Sequence, residues 1–175
     1  MTLAEGSLVA LLVFVAALLQ VALVGSIDLG AGTADLLLLA VVSLALLRGA
    51  VVGSIAGFFG GLLVDVTTLD TLGVWALLFA LVGYWVGRYG ETTGRGRPHA
   101  VLISVLAATV GIAYAGYGLH FVLGEEVSGR RVLFDALVPG LALNLLLAKP
   151  VHALCRAALA RTSPQERATE VRLLG

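Results

Sequence analysis

The chain is poor in charge. Only 13% of its 175 residues are Asp, Glu, Lys or Arg, against 59% apolar residues, and the mean hydropathy is +1.03. A water-soluble domain carries about 25% charged residues, so that class is excluded, and long apolar runs of this kind are read as membrane spans. A single cysteine, Cys155, excludes an internal disulfide framework. His99, His120 and His152 are scattered and form no Cys/His cluster with metal-ligand spacing, so no metal or other cofactor is expected. The G-x-S-x-G elbow, H-E-x-x-H, the Walker loop and the dinucleotide fingerprint are all missing, and catalysis is not expected. Asp65 and Asp135 could form an intramembrane carboxylate pair sharing a proton. Their surroundings, GLLVD and LFDAL, lack the contexts of intramembrane aspartyl proteases. The formal net charge is zero, and no nucleic-acid partner is expected.

What is present is a series of six apolar segments: Ser7–Val24, Ala34–Leu47, Ala50–Val64, Thr71–Gly87, His99–Leu123 and Val132–Cys155. The fold class expected is all-α, a polytopic membrane bundle of about six transmembrane helices. It forms one domain over residues 1–160, followed by a polar cytoplasmic tail at 161–175. A span needs about 20 residues. The first, fifth and sixth segments meet this and the fourth nearly does. The second and third are short and separated only by Arg48-Gly49, so they either cross as tight, tilted or locally thinned spans or dip in as a re-entrant hairpin. The first segment lacks a basic n-region and reads as a retained helix, not a signal peptide.

The basic residues orient the bundle. With the N-terminus inside, Arg48, Arg88, Arg95, Arg97, Lys149, Arg156, Arg161, Arg167 and Arg172 are cytoplasmic, and only Arg130 and Arg131 are external. Asp28, Asp35, Asp65, Asp70, Glu125, Glu126 and Asp135 mirror this at the outer side. Both termini are therefore expected in the cytoplasm, with residues 88–98 as a Gly- and Arg-rich cytoplasmic turn.

The most specific local feature lies in GSIAGFFGGLLVDVTTLDTLG. Gly53, Gly57 and Gly61 are spaced four apart, and Asp65 is the next step on the same helical face. Such a face either packs within the bundle, the more ordinary use, or docks a partner's helix. Ala76, Ala80, Gly83 and Gly87 form a counterpart on the fourth helix. Asp65 either serves a ligand or partner cation, or ends the third helix and binds turn amides. Asp70 or Thr71 reads as the N-cap of the fourth helix. In the sixth segment Asp135, Pro139, Asn144 and Pro150 interrupt the apolar run. Pro139 is expected to kink the helix, Asn144 to bond across a helix interface near mid-bilayer, and Lys149-Pro150 to end the span.

Two regions resemble the MreD family of rod-shape proteins. One is GFFGGLLVDVTTLDTLGVWALLFALVGYWVGR, residues 57–88; the other is the spacing of Pro139, Asn144 and Pro150. The resemblance implies a non-enzymatic scaffold in the bacterial cytoplasmic membrane. Its implied partners are a single-span MreC-like protein, RodA and a class B penicillin-binding protein, with MreB indirectly and membrane lipid around it. It also implies a fold similar to the substrate-binding subunits of energy-coupling-factor transporters, which makes a vitamin-type solute-binding subunit the rival reading. Gln20, Asp65, Trp75, Tyr114, Tyr117, His120 and Asp135 are the few residues that could line its pocket. The scaffold reading needs none, only a small-residue groove for a partner helix.

Overall fold

The computed structural model describes residues 3–26, 34–68, 72–93, 99–122 and 137–160. They form six helices: α1 (Leu3–Ser26), α2 (Leu36–Arg48), α3 (Ala50–Thr68), α4 (Val74–Thr93), α5 (Ala100–Val122) and α6 (Leu137–Ala160). Four of them, α1, α3, α5 and α6, contain a stretch long and apolar enough to cross a membrane. The chain is a polytopic helical bundle.

The sequence LLLLAVVSLALLR of α2 has no polar stripe, and every residue from Leu37 to Leu46 is buried. A helix apolar all round belongs in a core. α2 touches all five other helices, which surround it in the order α1, α3, α4, α5, α6, with α6 returning to α1. Its 13 residues rise only about 20 Å, short of a hydrocarbon layer of about 30 Å. α2 is sheathed by protein along its length.

A single residue, Gly49, joins α2 to α3. Its φ of 95° is a left-handed conformation that glycine adopts without steric cost, and its N–H closes α2 on the Ala45 carbonyl at 2.8 Å. α3 therefore doubles straight back along α2. At this end Arg48 meets Glu5 of α1 at 3.1 Å.

Several boundaries differ from the sequence expectations. α3 does not stop at Val64 but runs a further turn to Thr68, giving a full-length apolar stretch from Ala50 to Thr67. The Thr67 hydroxyl bonds back to the Leu63 and Val64 carbonyls, and Asp65 turns inward. Residues 88–93, expected in a loop, extend α4. There Thr92 bonds to the Arg88 and Tyr89 carbonyls, and Arg88 pairs with Glu91 at 3.2 Å. Pro139 does not kink the interior of α6. It is the third residue of that helix, where an N–H would have no acceptor within the helix. Pro150, by contrast, lies inside α6, and the helix continues to Ala160. Lys149-Pro150 therefore does not end the span: proline removes one bond to the Leu146 carbonyl, and the turns on either side continue.

Candidate functional site

The glycine ladder of α3 lies directly against α4. A Cβ added to Gly53 would sit 2.6 Å from the Gly83 carbonyl oxygen, and one at Gly61 would sit 2.5 Å from that of Trp75. At Gly57 an added Cβ would collide with the Phe79 carbonyl. From the other side, Gly83 meets the backbone of Gly53 and Gly87 that of Ala50. Ala76 is fully buried at the Gly61 level, and Ala80 supplies backbone at the Gly57 level. Backbone rests on backbone along about three turns. A partner's helix cannot lie in this seam, because α4 fills it.

Asp65 is completely buried at one end of the seam. Its carboxylate accepts the N–H groups of Gly73 at 2.9 Å, Trp75 at 3.1 Å and Ala76 at 3.1 Å. α4 begins at Val74, so Gly73, with φ 95°, occupies the cap position and has no side chain to serve the first turn. Asp65 reaches over from α3 and supplies the acceptors that a capping side chain would. Its charge also faces the positive end of the α4 dipole. Asp70 and Thr71, expected as the cap, lie outside the described residues, as does Asp135.

The other end of the hairpin mirrors this arrangement. Glu91 near the end of α4 accepts the Ala50 N–H at the start of α3 at 2.9 Å. Each helix thus caps its neighbour with a carboxylate. In a membrane an unpaired N–H costs several kcal/mol, so the two clasps fix the helices' ends and the seam fixes their separation.

A second polar cluster serves the start of α2. The Asp35 N–H donates to Asn144 Oδ1 at 2.8 Å, and the Leu36 N–H to Gln20 Oε1 at 2.7 Å. The Asp35 carboxylate accepts the Leu38 N–H at 2.8 Å as the N-cap. Asn144 is 2% exposed and completes its bonding by donating to Thr109 Oγ1 at 3.1 Å. Asn144 lies about 10 Å inside the start of α6, and Gln20 about 9 Å inside the end of α1. Those depths make up the length that α2 lacks. The short central helix ends within the bundle, and side chains from α1 and α6 replace the water its N–H groups would otherwise need.

Of the residues proposed to line a solute pocket, Gln20 and Asp65 are committed to helix ends. Trp75 packs at 6.0 Å on Phe79, and Tyr114 is exposed. Among the described residues, no group of three His, Cys, Asp or Glu side chains could hold a metal ion.

Sequence reasoning did not find Glu91, Asp35 or Thr109. Asp35, immediately before an apolar run, carried a legible N-cap signal. Thr109 offered only a hydroxyl in an apolar helix, and Glu91 sat in a stretch that read as loop.

The family model for MreD, rod shape-determining protein, matches residues 2–158. The chain belongs to the MreD family. Among curated proteins and among solved structures, no relative matches. MreD membership makes the chain a rod-shape-determining membrane protein, and the matched stretch takes in the seam, both clasps and the Asn144 cluster. The family is a structural, shape-determining one.

Proposed function

We propose that the chain is a non-enzymatic scaffold subunit of the bacterial cell-elongation machinery, holding a single-span MreC-like partner by helix packing. RodA, a class B penicillin-binding protein and, indirectly, MreB belong to the same assembly. The observation that carries this reading is the use made of polar side chains at the helix ends, two of them, Asp65 and Asn144, fully buried. Asp65, Glu91, Gln20 and Asn144 each accept a backbone N–H at the start of a neighbouring helix. That use suits a rigid platform, whereas a vitamin-binding subunit turns such groups toward a ligand. Since α4 occupies the glycine seam, the partner helix rests on a lipid-facing surface. The distribution of basic residues supports a cytoplasmic-membrane location with both termini in the cytoplasm.

The test is deletion of the gene with complementation, together with co-purification of an MreC-like protein. Rounded cells rescued by the wild-type gene, and a stable complex in mild detergent, are expected. Normal rods and no complex would refute the scaffold. Thermal stabilisation by micromolar vitamin would instead favour a solute-binding subunit.

A further inference from the structure

A groove of about 700 Å³ opens between α1 and α3, within the range of about 300–1,000 Å³ typical of ligand clefts. Of the side chains that line it, only Ser7 carries a polar atom. Small residues, Ala10 and Ala56, face it between the larger walls of Phe14, Ile55, Phe59 and Leu63. Next to it α1, α2 and α3 pack tightly: a Cβ added to Gly60 would sit 2.7 Å from a Leu37 methyl and 2.9 Å from a Val13 methyl.

The depth of the groove identifies its occupant. It runs from Gly6 to Phe14 on α1 and from Val52 to Leu63 on α3, about 12 to 17 Å along the helix axes. One leaflet's share of a hydrocarbon layer of about 30 Å is about 15 Å. The groove also starts at a polar level, since Gly6 adjoins Glu5, which is paired with Arg48. A cleft beginning at the charged level and ending near the midplane matches the reach of an acyl chain. A transmembrane helix would need contact over the full thickness. The Arg48–Glu5 pair presents one cation and one anion already joined, so recognition falls on the chain and not on a net headgroup charge.

We propose that this groove binds one acyl chain of a phospholipid from the leaflet on the Arg48 side, with the ester end beside Ser7. The lipid fills the gap between α1 and α3 and completes the packing of α1 on the bundle.

The full chain in mild detergent, titrated with palmitoyl-oleoyl phosphatidylglycerol and followed by native mass spectrometry, tests this. The wild type is expected to keep one lipid per chain. Ala10→Phe should plug the groove and lower occupancy at least tenfold, and Ala10→Leu should fall between the two. Ala107→Phe, at another exposed site, on α5, should leave occupancy unchanged. Circular dichroism separates plugging from unfolding, and if Ala10→Phe does not fold, the Ala10→Leu result decides. A wild type without a stoichiometric adduct, or Ala10 variants that retain it fully, would overturn the proposal. So would an Ala10→Phe protein that keeps lipid but loses a co-purifying single-span partner, since the groove would then be a helix seat.

Discussion

Glycines on α3 and glycines on α5 occupy similar apolar helices and have opposite surroundings. At Gly53, Gly57 and Gly61 an added Cβ would strike the backbone of α4. At Gly111, Gly116 and Gly118, among the described residues, it would meet nothing within 4 Å. Small residues at helical spacing permit close approach without requiring it. What distinguishes the α3 ladder is that another helix presents a matching small face, Ala76, Ala80, Gly83 and Gly87, and that carboxylates hold both ends in register. The α5 glycines meet no such partner among the described residues.

The strongest challenge to this contrast is Gly57→Leu. Its new side chain would press on the Phe79 carbonyl, which cannot move without parting α3 from α4, and a loss of about 3 kcal/mol or more is expected in thermal unfolding. Next is Asp65→Ala, which strands three N–H groups at the start of α4, one buried and two part-buried, and should cost about 3 kcal/mol, with Asp65→Asn recovering part of it. If Asp65→Ala were neutral, the clasp would add nothing to the seam. Asn144→Leu should cost about 1 to 2 kcal/mol, because it leaves the Asp35 N–H without its acceptor and removes the link to Thr109. The smallest effect, and of opposite sign, is expected for Gly111→Ala: a gain of up to about 1 kcal/mol from helix propensity with no clash. A Gly111→Ala protein as unstable as Gly57→Leu would break the comparison.

Six helices were legible because apolar run length is a local property. Their ends were less so. The expected end of α3, Val64, falls four residues short of Thr68 because Asp65 reads as a terminator, and in the fold that carboxylate serves a different helix. α4 was cut short at Gly87 because RYGETT is polar, and the acceptor role of Glu91 toward Ala50 depends on a residue 41 positions away. Asn144 was recognisable as an amide that needed a partner across an interface; its partners, Asp35 and Thr109, were not.

By itself the sequence determined that the chain lies in a membrane, that it has six helices, that it resembles the MreD family, and that Gly53, Gly57, Gly61 and Asp65 share one face. Those properties follow from hydrophobicity and the helical repeat, which are short-range. The tertiary structure decided what that face meets, that α2 is sheathed at the centre with a buried end, and that Asp65 caps α4. Each is a pairing between groups distant along the chain. In a low-dielectric interior, such pairings are fixed by where unpaired N–H groups find acceptors and where backbones can touch.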